Sequence, residues 1–306
     1  MTNNPNLKGI LFLILALFVG SLQAVAVKTL GGKYPVLQMV IFRNLVALPF
    51  TLLFFRLEGR RGLPVTKKIR SHAIRGLYLF LSYTTYMMGI AALPLAEVET
   101  IRFSGPLMIT VLSVVFLSEK VSLGRWFALA VGFGGVLLVV RPGTATYNIG
   151  SLFILISVLF YALTVLSTRQ LQLTESSATM AFYSSLMYVA SAIVLIPFTM
   201  AIGEQAGTHS SLAFLLHPWQ IPTLPHGLLM ASLGLVWAAW TYLMARAYSL
   251  AKASIAAPFE YVSLPINIMW GYVFWSEVPN LSTLAGAALT LASGLFILFR
   301  NARERQ

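Results

Sequence analysis

Charged side chains interrupt the apolar stretches of this sequence, among them Arg43, Glu99, Arg102 and Glu260. A charge inside a lipid bilayer costs about 2.5–3.5 kcal/mol on insertion scales, so such residues face a protein interior or a water-filled cavity and indicate function. Glu99 and Arg102 stand at positions i and i+3, which places them on one face of a helix and lets them pair. We predict that these groups line a cavity for a zwitterionic or charged solute, or that a Glu there binds a coupling proton.

The same residues admit a structural interpretation, in which Arg102 only neutralises a Glu and fixes the packing of its helix. Arg43 stands beside Asn44 and has no charged neighbour in the sequence. Its acceptor must come from elsewhere, either from one of the Glu residues or from an anionic part of a solute. The sequence leaves both alternatives open.

Aromatic side chains recur at helical spacing in the same stretches and form a second set of candidates. An aromatic-lined cavity suits a planar or cationic organic solute through stacking and cation–π contacts. Aromatic residues are also common interfacial anchors and packing groups, so both roles stay open. The candidates for solute contact are Tyr83, Tyr86, Trp237, Trp240 and Tyr261.

Composition places these residues in a membrane protein. Of the 306 residues 58% are hydrophobic and 10% are charged, and the mean hydropathy is +0.81. A chain with so little polar surface is typical of an all-α polytopic membrane protein. The net charge of +12 comes from basic residues in short segments between apolar runs, where they orient helices and do not indicate nucleic-acid binding.

The residue types needed for most catalytic centres are scarce. Cysteine is absent, so disulfides and thiolate chemistry are excluded. All nine acidic residues are Glu, and the four histidines lie in loops or at helix ends without metal-ligand spacing. No Walker loop indicates an ATP-driven pump. We therefore predict no bound metal, no cofactor and no enzymatic activity.

The chain repeats itself, and the repeat predicts its architecture. We expect ten transmembrane helices in two repeats of five, residues 1–141 and 142–306, each span needing about 20 apolar residues. The predicted spans lie near 9–30, 36–56, 72–93, 95–118, 122–140, 148–170, 177–202, 225–250, 253–276 and 280–300. The recurring residues are Gly9, Phe12 and Lys28 with Gly150, Phe153 and Arg169, and Ser118-Glu119 with Ser276-Glu277.

The distribution of basic residues predicts the orientation. Lys and Arg collect in cytoplasmic loops, and most of the 21 basic residues fall on one side if both termini are cytoplasmic. Five helices is an odd number, so the second repeat enters from the opposite side and is inverted. At the repeat offset Arg102 then corresponds to Glu260, and binding sites of such carriers lie between the repeats.

This layout resembles the drug/metabolite transporter superfamily, in particular its ten-helix EamA-type members. The resemblance implies a secondary carrier for small organic solutes such as amino acids, metabolites or vitamins, with export favoured over uptake. Both halves depart from the family pattern by having Ser before the terminal Glu. The resemblance rests on the tandem halves and on Ala91–Ala96, Pro106 followed by Glu119, Gly132–Val140, Tyr248–Ala253 and Phe274–Val278.

The predicted function is therefore transport of a small organic solute across the cytoplasmic (inner) membrane by alternating access, with protons as a candidate coupling ion. The predicted partners are this solute and the lipid bilayer, with no nucleic acid. Two other classes remain as alternatives: a channel or a helical scaffold without transport, and, less favoured by the residue types, a membrane-embedded enzyme. A channel would differ from a carrier by showing conductance without counterflow.

Overall fold

The computed structural model describes residues 5–57, 62–117, 122–171, 173–250 and 257–303, and these are helical with short connections. This confirms the predicted all-α class. The helices are α1 (Pro5–Leu30), α2 (Val36–Leu57), α3 (Ile69–Ile90), α4 (Leu95–Arg102), α5 (Gly105–Leu117), α6 (Leu123–Val140), α7 (Gly150–Leu171), α8 (Ser177–Ile202), α9 (Ser210–Leu216), α10 (Leu224–Leu250), a 3₁₀ segment (Ala257–Val262), α11 (Ser263–Trp275) and α12 (Leu281–Arg303).

Several of these helices have the length and composition of membrane spans. Six segments of the described chain are apolar and long enough to cross a bilayer, and two shorter apolar helices accompany them, Trp126–Val140 and Leu281–Ile297. A polytopic membrane protein follows from this pattern. The six segments are Leu7–Leu30, Val36–Leu53, Leu95–Phe116, Gly150–Thr168, Ala178–Ile202 and Leu224–Thr241.

Helix ends follow local chemistry, as α8 illustrates. Ser176 precedes the helix, and its hydroxyl accepts a 3.2 Å hydrogen bond from the backbone N–H of Thr179, which satisfies one of the free amides of the first turn. Gly203 follows the last turn with a φ of 65°, a conformation that glycine adopts without steric cost. The predicted span 177–202 therefore coincides with the observed helix.

The fourth predicted span, 95–118, is present as the membrane-length apolar segment Leu95–Phe116, but its helix is interrupted. It is divided into α4 and α5 at Phe103 and Ser104. The cause is Pro106, which has no N–H to donate to the carbonyl of Arg102 and whose ring would clash with that carbonyl in a continuous helix. The break therefore lies just after Arg102, whose carbonyl lacks the N–H donor that a residue other than proline would supply from position 106.

The helix of the ninth predicted span, 253–276, is likewise interrupted within its described part. Its described part begins with the 3₁₀ segment Ala257–Val262, which leads into α11 at Ser263. Pro265 falls in the first turn of α11, where a missing N–H costs nothing because that turn has no carbonyl to donate to. The two discontinuous segments occupy corresponding places in the two sequence halves.

Contacts group the chain into two compact units. Unit 1 comprises residues up to Val25, Leu93–Ser151 and the residues from Ala239 onward, and unit 2 comprises Ala26–Ala92 and Leu152–Ala238. Each unit contains helices from both halves of the sequence. The compact units therefore do not coincide with the predicted repeats 1–141 and 142–306, which are defined by sequence similarity. The division into repeats stays a prediction.

Within unit 1, α6 and α12 pack closely along their lengths. Their backbones meet at Gly135 and Gly286: a Cβ atom at Gly135 would lie 2.7 Å from the carbonyl oxygen of Gly286. Only glycine allows such an approach, as in other membrane helix pairs with small residues at the interface. α4 packs against α11 in the same unit, so the two discontinuous segments are neighbours.

Within unit 2, α8 packs against both α2 and α3. α10 approaches α2 at Gly234, where a Cβ atom would lie 2.7 Å from the carbonyl oxygen of Arg43. This crossing brings the part of α10 that follows Gly234 beside the middle of α2. The short helix α9 lies within the predicted loop 203–224, and its buried Phe214 packs against Gly31.

Candidate functional site

Arg43 lies in the interior of unit 2, in the middle of α2, with a relative exposure of 0%. Among the described residues, none of its three guanidinium nitrogens has a hydrogen-bond partner, and no carboxylate forms an ion pair with it. The neighbouring Asn44 turns its amide to the carbonyl of Val40 at 2.7 Å. A Glu partner for Arg43, one of the two alternatives left by the sequence, is therefore not found in the described chain.

Three aromatic rings surround the guanidinium of Arg43 instead. Its central carbon lies 3.7 Å from the ring centroid of Tyr83, 4.7 Å from that of Tyr188 and 4.7 Å from that of Trp237. We call these four residues the Arg43 cage. Tyr83 and Trp237 were predicted to contact solute from the sequence, whereas Tyr188 was missed because nothing in its spacing distinguishes it from other aromatic residues of α8.

Each ring of the Arg43 cage comes from a different helix. Tyr83 lies on α3, Tyr188 on α8 and Trp237 on α10, one turn after the close approach of Gly234 to α2. The hydroxyl of Tyr188 donates to the carbonyl of Leu79 at 2.9 Å. The hydroxyl of Tyr83 has no hydrogen-bond partner among the described residues, so only one of the two tyrosines has a polar anchor.

The Arg43 cage compensates the charge of the guanidinium but not its hydrogen-bond donors. A cation–π contact contributes about 2 kcal/mol when it is desolvated, and several rings together offset the cost of about 2.5–3.5 kcal/mol for an arginine at the membrane centre. Ring faces attract the positive charge but leave the N–H donors of the guanidinium without directed hydrogen-bond acceptors. The cage therefore stabilises the positive charge of Arg43 and leaves its hydrogen-bonding capacity unused.

In unit 1, Glu99 lies at the end of α4 beside the break of that helix. Its side chain is 8% exposed. One carboxylate oxygen accepts a 2.6 Å hydrogen bond from the hydroxyl of Ser263, the first residue of α11, and the other accepts one from Arg102 at 3.1 Å. The buried carboxylate thus joins the two discontinuous segments.

Arg102 completes this group from the more exposed side. Its side chain is 46% exposed, and the ion pair with Glu99 has the i,i+3 geometry expected from the sequence. Glu260 lies in the 3₁₀ segment that precedes α11 and is half-buried. The structure brings Arg102 and Ser263 each into contact with the carboxylate of Glu99, and the hydroxyl of Ser263 had no signal in the sequence.

The remaining predicted aromatic residues serve packing contacts in the two units. Tyr86, in unit 2, lies beside Tyr83 with 6.3 Å between ring centroids. In unit 1, Tyr261 packs edge-on against Phe103 at the break after α4, with 4.9 Å between centroids. Trp240 lies against Gly20 of α1. Solute contact by these three side chains stays a prediction.

Two further Glu residues of unit 1 hold helix ends. Glu277 follows α11 and accepts a 3.0 Å hydrogen bond from the backbone N–H of Leu95 at the start of α4. A carboxylate in this position stabilises a helix N-terminus. Glu97 accepts from Asn280 at 3.3 Å and from Thr283 at 3.4 Å. The counterpart Glu119 lies outside the described residues.

No group of three or more His, Cys, Asp or Glu side chains in the described residues could hold a metal ion. The polar residues of interest instead form two separate sets, the Arg43 cage in unit 2 and the group of Glu99, Arg102 and Ser263 in unit 1. Both sets consist of side chains that recognise charge or form hydrogen bonds to charged groups.

Comparison with known proteins gives the family. The model of the EamA-like transporter family matches residues 7–141 and again residues 148–299. The S-adenosylmethionine uptake transporter of Rickettsia bellii is 28% identical over 295 residues, which cover 95% of this chain and 93% of that protein. The pseudopaline exporter CntI of Pseudomonas aeruginosa (strain UCBPP-PA14) is 28% identical over 287 residues, covering 93% and 94%.

One crystal structure of another protein shares the fold. It aligns with this chain at a TM-score of 0.60, covers 94% of this chain and 96% of its own, and has 16% sequence identity. At this identity the similarity concerns the arrangement of helices alone. Together with the family match it confirms the resemblance to drug/metabolite transporters that the sequence motifs indicated.

Proposed function

The chain belongs to the EamA-like transporter family, and on this premise we propose that it is a secondary carrier which moves a small organic solute across the cytoplasmic membrane by alternating access. Transport of small molecules, and not enzymatic chemistry, is what the family and the named relatives have in common. The mechanism, the direction, the coupling ion and the identity of the membrane belong to the proposal.

The observation that carries the proposal is the contact between Glu99 and Ser263. It places a buried carboxylate where two helices are interrupted within apolar segments. Secondary transporters commonly form their solute and ion sites from such discontinuous helices, because freed backbone groups and polar side chains can face a cavity there. A fixed structural core would gain little from placing a charged group at this depth.

Glu99 has two roles in this mechanism. While it is ionised it pairs with Arg102 and accepts from Ser263, which holds α4 against α11. When it takes up a proton, or when a cationic group of the solute replaces Arg102, the pair is released and the two broken segments can move apart. In this mechanism Arg102 and Glu260 provide complementary charges for a zwitterionic solute.

We propose outward transport as the direction, by analogy with the family. The relatives include an uptake transporter for S-adenosylmethionine and an exporter for pseudopaline, so small organic metabolites are the solute class to test first. The distribution of basic loops supports a cytoplasmic location of both termini, and the inner membrane as the site of transport is part of the same proposal.

Counterflow in proteoliposomes tests the carrier mechanism. Liposomes containing the protein are loaded with an unlabelled solute and diluted into the labelled one, over a panel of amino acids, S-adenosylmethionine, vitamins and organic cations, with and without a pH gradient. A carrier accumulates the label transiently. Ion conductance without any counterflow would instead identify a channel.

Variants of unit 1 test the proposed residues. We expect Arg102→Ala and Glu260→Gln to slow counterflow and to alter its dependence on pH. Glu204→Gln is a suitable control, because Glu204 pairs with His217 in the loop after α8 at 2.6 Å and is distant in sequence from both helix breaks. If both variants behave like the control, the proposed group in unit 1 is wrong.

A further inference from the structure

The Arg43 cage contains a set of hydrogen-bond donors that the protein does not use. Arg43 carries five N–H donors, and its Nε, Nη1 and Nη2 atoms have no acceptor among the described residues. The hydroxyl of Tyr83 likewise has no partner there. Buried donors in native proteins are nearly always satisfied, so a cluster of unused donors around a fully buried cation requires an explanation.

The rings of the cage explain how the charge is tolerated but not why the donors are free. Tyr83, Tyr188 and Trp237 present electron-rich faces to the guanidinium, and these faces compensate positive charge without forming directed hydrogen bonds. A Glu in place of one ring would have neutralised the charge and accepted two of the N–H donors. It would also have held Arg43 in a permanent ion pair. The cage instead leaves the guanidinium ready to exchange one partner for another.

We infer that Arg43 is the receptor for a carboxylate group of the transported solute. This inference deepens the proposed carrier function and rests on it. The guanidinium is a planar fork whose paired N–H groups match the two oxygens of a carboxylate. The rings of the cage would then flank the rest of the solute, which favours an organic acid or an amino acid with an apolar or aromatic body.

Tyr83 is the ring that moves to admit the carboxylate. It is the closest of the three to the guanidinium, at 3.7 Å, so its displacement would uncover more of the guanidinium than displacement of either other ring. Its hydroxyl has no hydrogen bond to lose within the described chain, whereas the hydroxyl of Tyr188 is bonded to the carbonyl of Leu79. Tyr188 is thereby fixed, and Tyr83 can turn away at the cost of one cation–π contact that the carboxylate replaces.

Matched pairs of acids and amides test the inference directly. The probes are nicotinate with nicotinamide, phenylalanine with phenylalaninamide, and the primary amide of any acid that the counterflow panel identifies. For wild type we expect the acid to exchange about 10- to 100-fold more efficiently than its amide, the range for losing a charge-assisted hydrogen-bonded pair. In Arg43→Gln we expect the acid to lose this advantage, so that acid and amide agree within about threefold.

Arg43→Lys separates charge from geometry, because lysine keeps the positive charge within the cage and lacks the planar fork. We expect an acid-to-amide preference between those of wild type and Arg43→Gln. The matched control is Arg75→Gln. Arg75, also in unit 2, already donates to Thr168, Ser184 and the carbonyl of Met180. Its loss should therefore lower the stability of the folded protein and leave the acid-to-amide preference unchanged.

The outcomes distinguish this inference from the proposed function. If no solute of the panel undergoes counterflow, the carrier function fails. If solutes are exchanged but none carries a carboxylate, the carrier function stands and the role of Arg43 is overturned. The same conclusion follows if Arg43→Gln lowers exchange of acid and amide by the same factor, because the acid then keeps its advantage over the amide. Size-exclusion profiles of each variant in detergent establish that the compared proteins are folded.

Discussion

The hydroxyl of Ser263 donates a 2.6 Å hydrogen bond to the carboxylate of Glu99, and this contact joins the end of α4 to the start of α11. Both residues are buried. Each stands next to an interruption of an apolar helical segment, one after Arg102 and one before α11. The contact thus joins two helix interruptions of unit 1 to each other through one charged group.

We expect Ser263→Ala to weaken this junction. The substitution leaves one oxygen of a buried carboxylate without its donor, and a hydrogen bond to a charged group contributes about 1.5–3 kcal/mol. The thermal unfolding midpoint in detergent should fall, and the pH dependence of counterflow should shift. Ser293→Ala is the control, because Ser293 is also a buried serine of unit 1 and donates to the carbonyl of Ala128 between α12 and α6.

Equal effects of Ser263→Ala and Ser293→Ala on the pH dependence would contradict the functional role of the junction. A lower midpoint in both variants, with a pH shift only in Ser263→Ala, would support it. The comparison separates a general loss of packing from a change at the carboxylate itself.

The two tyrosines of the Arg43 cage should respond differently to loss of the hydroxyl. Tyr188→Phe leaves the carbonyl of Leu79 without its side-chain donor, which costs about 1 kcal/mol. Tyr83→Phe removes a buried hydroxyl that has no partner in the described chain, so stability should be unchanged or slightly higher. Both variants keep their rings beside Arg43. The thermal unfolding midpoints of the two variants test this expectation. A larger decrease of the midpoint for Tyr83→Phe than for Tyr188→Phe would show that the hydroxyl of Tyr83 is hydrogen-bonded.

Two adjacent glycines of α6 provide a test of helix packing in unit 1. A Cβ atom at Gly135 would lie 2.7 Å from the carbonyl oxygen of Gly286 and 2.9 Å from the Cβ of Leu289, whereas one at Gly134 meets nothing within 4 Å. Gly135→Ala should destabilise by about 1–3 kcal/mol through overpacking. Gly134→Ala should be neutral or stabilise by up to about 1 kcal/mol, because alanine favours a helix interior. Similar midpoints for the two variants would contradict the close approach of α6 to α12.

Much of the fold could be predicted from the sequence because a bilayer imposes a length on every apolar segment. The predicted spans 36–56 and 177–202 agree with α2 and α8 to within one residue, since Pro35 and Ser176 mark their beginnings. The break after Arg102 could not be located from the sequence, because Pro106 acts on the carbonyl one turn before it.

The candidate site was predictable only where two residues lie on one helix. The pair of Glu99 and Arg102 follows from their spacing, whereas the cage around Arg43 depends on how α2, α3, α8 and α10 cross. Nothing near Tyr188 in the sequence marks it as a neighbour of Arg43. The sequence required an acceptor for that arginine and favoured an anion, and the crossing of four helices supplied aromatic rings.

The predicted inverted repeat places two equivalent positions on opposite sides of the membrane. Ser122 precedes α6 and Asn280 precedes α12, the last helices of the two predicted repeats. If the repeats are inverted, Ser122 faces the cytoplasm and Asn280 the opposite side. The sequence has no cysteine, so Ser122→Cys and Asn280→Cys each introduce a single thiol for labelling in intact spheroplasts with a membrane-impermeant maleimide.

We expect the maleimide to label Asn280→Cys in intact spheroplasts and Ser122→Cys only after the membrane is opened. Exposed loop positions serve as references, with Gln205→Cys accessible from outside and Lys67→Cys accessible only from the cytoplasm, since the basic loop before α3 is expected to remain inside. Labelling of positions 122 and 280 from the same side would rule out inverted repeats. The alternating-access mechanism would then lose the symmetry on which it depends, even though the family assignment would stand.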